Sequence, residues 1–323
     1  MLAPMSARLL VRDEATVVER PPEQLAELRD KPCWIDIPDR SSGELVRVAK
    51  ALDLHPLAVE DATQRDERPK IDQYESHYFI VFYAVDSPSP DVVNYHEFSI
   101  FVVQNALVTV HDGECEALKQ VEKRFREGRL KTTGQLLHAL LDTMVDGYFA
   151  VVDHFGDRIE LLEEFIEAEL DDSKGMHAPL KELFLVKRDL LQLRKTIAPE
   201  RDVLQVLIRG DIRELREAGR RAYFQDVYDH VIRVTDEIDT FRELTSNVID
   251  AYLAAASNRL NQVMKVLTSI ATILLVLTLF TGFFGMNFKD LPFDNTEVFL
   301  GGMALMIACA GLVAWFFKRR GWL

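Results

Sequence analysis

The tripeptide Gly285-Met286-Asn287 holds the side chain best placed for chemistry in this chain. Asn287 lies at the end of an uncharged stretch that runs from Val266 to Phe288. An amide oxygen has a weaker field than a carboxylate and can accept hydrogen bonds from the water shell of a cation. Gly285 allows the backbone to turn or to approach closely beside it. These residue types indicate weak binding of a hydrated ion.

The surrounding sequence predicts where Asn287 lies. A second apolar stretch, Val298 to Phe317, follows a short acidic loop, and each stretch has the roughly 20 apolar residues that a membrane-spanning helix needs. Two spans joined by a short loop form a hairpin. The basic residues before the first span and in the tail Lys318 to Arg320 place both ends of the chain in the cytoplasm. Asn287 is therefore expected on the outer side, at the mouth of a pore.

Residues spaced by three or four form one stripe along the first span. They are Asn261, Met264, Leu267, Ala271, Leu275, Thr278, Gly282 and Gly285. A face that packs on another helix would also be rich in small residues. Because Asn287 continues the stripe, we interpret it as pore-lining. Its narrow apolar part, from Met264 to Leu275, could stop ions by dewetting and is the predicted gate.

The charge of the chain limits its partners. Among 323 residues, 38 basic and 52 acidic side chains give a formal net charge of −14. This balance argues against nucleic acid and suits a surface that handles cations. On the soluble side of the first span, Asp226 and Asp229 are three residues apart, and Asp250 lies nearer the membrane. No nucleophile paired with a base is recognisable, so the sequence does not favour an enzyme.

The soluble part has two halves. Strand-like runs at 33–37, 78–85, 98–103 and 106–111, with helical pieces between them, predict an α/β domain. Gln104-Asn105 is a plausible hairpin turn. From Thr132 the pattern is helical, and neither proline nor glycine occurs between Arg221 and Gly282. We therefore predict one helix over 221–284, about 95 Å long, which needs neighbours to be stable.

These elements predict a six-part organisation. It comprises a cytoplasmic α/β domain (1–131), cytoplasmic helices (132–220), a stalk helix continuing into the first span (221–288), an outer loop (289–297), a second span (298–317) and a basic cytoplasmic tail (318–323).

Several motifs resemble the CorA-type magnesium transporter family, and they extend over most of the chain. They are Tyr223 to His230, Ser257-Asn258, Val263 to Thr268, Ile270 to Thr272, Gly285 to Phe288, the terminal Lys-Arg-Arg-Gly-Trp-Leu, His55 to Asp61 and Arg68 to Ile71. The resemblance implies a funnel-shaped homopentamer in the inner membrane. In it five first spans line the pore and the second spans lie outside them.

The resemblance also implies an ion and its regulation. Mg²⁺ holds its waters tightly, so a ring of Asn287 amides could select it and still release it. In the family, an acid at the position of Asp226 pairs across subunits with an acid near the end of an early strand, here Asp86. Mg²⁺ bridging these two carboxylates would close the channel. Asp250 could form a ring that concentrates cations at the inner mouth. The alternative for all these carboxylates is a solvated acidic face.

Three departures from the family pattern leave the ion open. Val276 stands where a proline is usual, Phe284 replaces a tyrosine, and the outer loop reads Leu291-Pro292-Phe293-Asp294 instead of Met-Pro-Glu-Leu. Some relatives carry Co²⁺, Ni²⁺ or Zn²⁺, although zinc transporters commonly alter the methionine that this chain keeps. A proton-coupled zinc transporter of the same fold and a membrane-anchored scaffold remain alternatives. The basic tail could also bind anionic lipid.

Overall fold

The computed structural model describes residues 7–13, 16–27, 31–89, 92–171, 179–209, 220–286 and 296–322. The chain divides into two compact units, Met1–Asn247 and Val248–Leu323. The first unit holds a sheet and most of the helices. The second holds the apolar end of the longest helix and the last helix.

A seven-stranded mixed sheet organises the first unit. Its strands are β1 (Arg8–Asp13), β2 (Thr16–Arg20), β3 (Cys33–Ile37), β4 (Lys70–Gln73), β5 (Tyr78–Ser89), β6 (Val92–Val102) and β7 (Ala106–Val110). The spatial order is β2-β1-β3-β7-β6-β5-β4, and only β3 and β7 are parallel. The four predicted strands are confirmed, and β6 and β7 form the predicted hairpin around Gln104-Asn105. Strands β1, β2 and β4 were not predicted from the sequence.

Both faces of the sheet are covered, and the strand residues alternate between two cores. On β5, Phe79 and Val81 face one core, and Ile80 and Phe82 face the other. All four side chains are fully buried. This double burial explains why the central strands are almost continuously apolar.

The helices are α1 (Glu44–Leu52), α2 (Pro56–Thr63), α3 (Glu116–Arg126), α4 (Thr133–Asp171), α5 (Pro179–Ile197), α6 (Glu200–Arg209), α7 (Arg220–Phe284) and α8 (Thr296–Arg319). Those of the first unit supply the two layers that cover the sheet, whereas α8 lies in the second unit. A short 3₁₀ helix covers Pro22–Glu27. His55 caps α2, because its Nδ1 accepts a hydrogen bond of 3.3 Å from the amide of Leu57.

The long helix α7 begins in the core of the first unit. Phe224, Val227 and Val231 are fully buried there, in one cluster with apolar residues of α4. Gly156 of α4 allows a close approach, since a Cβ at this position would lie 2.9 Å from the ring of Phe241 on α7. The predicted need for neighbours is met here by helices of the same chain.

The buried carboxyl group of Glu200 links α6 to β5 and α4. Glu200, at the start of α6, is fully buried and accepts a 3.0 Å hydrogen bond from the amide of Tyr83 on β5. The hydroxyl of Tyr148 on α4 donates to the carbonyl oxygen of Tyr83 and lies 2.9 Å from Oε2 of Glu200. A tyrosine has one hydroxyl proton, so a neutral Glu200 can complete this network by donating a proton of its own to the Tyr148 oxygen. Burial accordingly raises the pKa of Glu200 well above its ordinary value of 4.5.

We expect Glu200→Gln to remove a pH dependence from the stability of the protein. At a pH between the ordinary pKa of Glu200 and its raised pKa, the unfolded chain releases the Glu200 proton and the folded chain keeps it. The stability due to neutral Glu200 is therefore fully present below pH 4.5. It is lost above that pH at up to about 1.4 kcal/mol per pH unit. Glutamine keeps both hydrogen bonds and does not titrate.

Thermal unfolding of the full chain in detergent between pH 5 and pH 8 measures this effect. The wild type should lose melting temperature relative to Glu200→Gln as the pH rises. Glu200→Ala, which leaves Tyr83 without its acceptor, should be less stable at both pH values. Parallel pH profiles for the wild type and the glutamine variant would show that Glu200 is ionised when buried.

Candidate pore face and metal site

The predicted pore residues share one exposed face of α7. In the single chain, all eight positions from Asn261 to Gly285 are exposed. Leu267 is 58% exposed and Leu275 is 69% exposed, although both are apolar. An exposed apolar stripe on a helix lacks a partner within its own chain.

The opposite face of α7 is less exposed. Its less exposed residues also recur every three or four positions: Ser269, Thr272, Ile273, Val276, Leu277, Phe280 and Phe284. On α8 the less exposed residues are Val298, Gly302, Met306, Cys309, Ala310, Val313, Ala314 and Phe317. The ring of Phe284 lies against Gly302 and joins these two faces.

The positions around the helix separate the two faces of α7. At 3.6 residues per turn, Leu275 and Gly282 lie about 180° and 200° from Phe284. Since Phe284 contacts α8, the stripe points away from α8. Packing of the stripe on the second span of the same chain, which its small residues would also fit, is therefore excluded by the structure.

The helix ends just before the signature tripeptide. Phe284 is the last helical residue, and the amide of Gly285 still donates to the carbonyl oxygen of Thr281 at 2.9 Å. The amide of Met286 donates to Phe283 at 3.3 Å. Asn287 and the outer loop to residue 295 lie outside the described residues. The Asn287 filter therefore stays a prediction.

A possible metal site lies on α4 and α7 in the first unit. Asp142, Asp226 and His230 each offer a ligand atom within 4.8 Å of the others, and this is the one such group of three within the described ranges. Asp226 and His230 are four residues apart, so they point to the same side of α7. Asp226 is exposed, whereas Asp142 and His230 are partly buried.

Two further titratable groups surround this site. Burial lowers the pKa of His138, and the nearby charge of Asp142 opposes that effect. Burial, followed by repulsion from Asp142, raises the pKa of Asp146. Asp142 and Asp146 therefore repel each other, and a bound cation would reduce this repulsion.

The donor set suits a divalent cation. Two carboxylate oxygens fit Mg²⁺, which usually takes one or two carboxylates and keeps several waters. The imidazole of His230 is a better ligand for Co²⁺ or Zn²⁺ than for Mg²⁺. The site can thus hold Mg²⁺ through its carboxylates and a transition metal through all three groups.

The other predicted metal residues lie apart from this cluster. Asp86, near the end of β5, accepts hydrogen bonds from Asn94 at 3.0 Å and lies 2.7 Å from Nε2 of His96. Its side chain is 43% exposed, at a groove of about 480 Å³ between β5, α3 and α4. Asp250 is exposed on α7. The predicted pairing of Asp86 with Asp226 joins two subunits and stays a prediction.

Asp142 was not predicted as a ligand from the sequence, and His230 was given no role. The spacing of Asp226 and His230, four residues apart on a helix, was a usable signal for paired ligands. Asp142 gave no comparable signal, because it is 84 positions from Asp226 in the sequence.

Comparison with known proteins identifies the family of the chain. The family described as "CorA-like Mg2+ transporter protein" matches residues 29–319. The chain belongs to this family. Its two helices that are long and apolar enough to cross a membrane, Arg221–Phe284 and Thr296–Arg319, suit a CorA-family divalent cation transporter.

Relatives of this CorA-family chain differ in the metals that their names give. The cobalt/magnesium transport protein CorA of Thermotoga maritima is 34% identical over 93% of this chain and 87% of its own length. The zinc transport protein ZntB of Pectobacterium carotovorum subsp. carotovorum is 23% identical over 91% and 89%. The complete CorA magnesium transporter structure from Methanocaldococcus jannaschii matches both chains completely, with a TM-score of 0.84 and 24% identity. This likeness confirms the predicted fold of α/β domain, long helix and two apolar helices.

Proposed function

We propose that this chain forms a homopentameric channel that admits Mg²⁺ through the inner membrane. The observation that carries the proposal is the division of α7 into two faces. One face is less exposed and contacts α8 through Phe284, and the opposite face is exposed and largely apolar. Five copies around an axis would bury the exposed face against one another and leave a path at the centre. Closed rings of identical subunits are a common way to satisfy such a surface.

Apolar side chains of the pore form its barrier to ions, and the membrane potential alone drives transport. Met264, Leu267 and Leu275 narrow the cytoplasmic part of the path with apolar side chains, which block ions when they exclude water. Asn261 and Thr278 add polar positions along it. Two charges that cross the membrane field gain about 4.6 kcal/mol per 100 mV, so an inside-negative potential drives Mg²⁺ inward.

The outer mouth selects the ion. Gly285, Met286 and Asn287 from five chains would form a ring whose amide oxygens accept hydrogen bonds from the waters of Mg²⁺. Such a ring avoids the cost of stripping a hydration shell that Mg²⁺ releases reluctantly. The weak field of neutral oxygens also permits release, which conduction requires.

Cytoplasmic Mg²⁺ regulates the channel through the acidic cluster. Binding at Asp142, Asp226 and His230 would tie α4 to α7, the helix that continues into the first span. Asp86 is exposed enough for the carboxylate of a neighbouring subunit to approach, so the predicted pairing with Asp226 could extend the site between chains. Asp250 would concentrate cations near the inner mouth. The termini then lie in the cytoplasm, with Lys318 to Arg320 beside the lipid head groups.

Ion entry into liposomes that hold the purified protein tests the function. We expect an internal dye to report Mg²⁺ entry under an inside-negative potential and no entry into empty liposomes. Entry of Zn²⁺ that depends on a pH gradient, with Mg²⁺ excluded, would favour the zinc transporter named among the relatives. Entry of neither ion would favour the membrane-anchored scaffold.

A further inference from the structure

A glycine on α8 gives room to the residue that ends α7. A Cβ built at Gly302 would lie 2.9 Å and 3.0 Å from Cε2 and Cε1 of the Phe284 ring, and it would also meet Cζ. Contacts below 3.0 Å require one of the partners to move. The ring of Phe284 therefore occupies the space that any larger side chain at position 302 would need.

Among the glycines of α8, this close approach is particular to Gly302. A Cβ at the adjacent Gly301 would meet nothing within 4 Å, and the same is true of Gly311, further along α8, and of Gly282 on α7. Gly302 therefore differs from its neighbour in a property that substitution by alanine can test. The two substitutions change the intrinsic helix preference equally.

The position of Phe284 determines where the chain begins to form the predicted outer mouth of the pore. Phe284 ends α7, and the next two amides, of Gly285 and Met286, still bond back to carbonyl oxygens of its last turn. A displacement of the backbone at Phe284 would therefore carry the start of the signature tripeptide with it. Since Phe284 lies on the side of α7 opposite Gly282, a push away from α8 moves the helix end toward its exposed face.

We propose that Gly302 and Phe284 are positioning residues that set the width of the outer mouth by fixing the distance between the outer ends of the two spans. This inference rests on the proposed function, because the exposed face of α7 must line the pore. A side chain at position 302 would push five helix ends toward the axis together. The mouth would narrow, although neither residue contacts the ion.

Liposome flux in the wild type and three variants tests the proposal. We expect Gly302→Ala to lower the initial rate of Mg²⁺ entry roughly tenfold, since an added methyl group overpacks the contact. Gly301→Ala should conduct like the wild type. Phe284→Leu, which shortens the side chain, should restore Gly302→Ala to within about twofold of the wild type. Equal rates for Gly302→Ala and Gly301→Ala would overturn the proposal, and so would a double variant that recovers nothing.

A second measurement separates this proposal from the proposed function. Met286→Cys, in a chain with Cys309→Ser, is labelled from outside with a membrane-impermeant thiol reagent. Gly302→Ala should change the labelling rate at least about threefold and Gly301→Ala should not, whether or not ions pass. A wild type without flux but with this labelling difference would refute the channel and keep the contact. If Gly302→Ala does not assemble, Phe284→Leu alone should shift the labelling rate, and an unchanged rate would overturn the proposal.

Discussion

Replacing Asn287 with alanine is expected to lower Mg²⁺ entry about a hundredfold, to the leak of empty liposomes. The substitution removes the ring of amide oxygens that would hold the hydrated ion at the outer mouth. A hundredfold loss corresponds to about 2.7 kcal/mol of lost stabilisation for the ion in transit. The measurement is the initial rate of dye response under a fixed inside-negative potential.

Two further variants test whether the loss of Mg²⁺ entry is specific to the amide group of Asn287. Asn247→Ala removes an exposed amide from the same helix outside the predicted pore residues and should leave the rate unchanged. Asn287→Asp keeps the oxygens but makes the ring charged, so we expect tighter ion binding and slower release. Undiminished entry in Asn287→Ala would mean that selection occurs elsewhere along α7.

Neutralising Asp226 is expected to weaken closure of the channel by cytoplasmic Mg²⁺ at least about tenfold. Asp226→Asn preserves size and removes one of the two charges that would attract the ion beside Asp142. A tenfold change in the inhibitory concentration equals about 1.4 kcal/mol, which is modest for the loss of a carboxylate ligand. Inside-out patches from giant liposomes give this value, because perfusion sets the cytoplasmic concentration directly.

The sensor has a matched control on the same helix. Asp236→Asn makes the same charge change at an exposed position and should leave the inhibitory concentration unchanged. His230→Gln should weaken inhibition by Co²⁺ more than by Mg²⁺, because imidazole favours the transition metal. If Asp86→Asn shifts the inhibitory concentration as Asp226→Asn does, the site spans two subunits. If Asp226→Asn acts like Asp236→Asn, the cluster has no regulatory role.

Local patterns in the chain were sufficient to predict most of its elements. The absence of proline and glycine from Arg221 to Gly282 predicted α7 to within one residue. The central strands were recognisable because they are apolar and β-branched. The edge strands were missed, since β2 is mostly exposed and β4 is only four residues long.

Residues that act together across long separations could not be paired from the sequence. Asp142 meets Asp226 because α4 and α7 share a core, and the ring of Phe284 on α7 meets Gly302 on the separate helix α8. Neither contact leaves a periodic signal, because each depends on how separate elements pack.

The stripe on α7 illustrates what the sequence predicts and what only the tertiary structure decides. Helical spacing alone assigned Leu275 and Gly282 to one face, since the period of a helix is a local property of the backbone. Spacing could not tell whether that face meets α8 or points away from it. The tertiary structure decided this question, because Phe284, on the opposite side of α7, lies against Gly302 of α8. The faces that two helices bury against each other depend on contacts between distant segments of the chain.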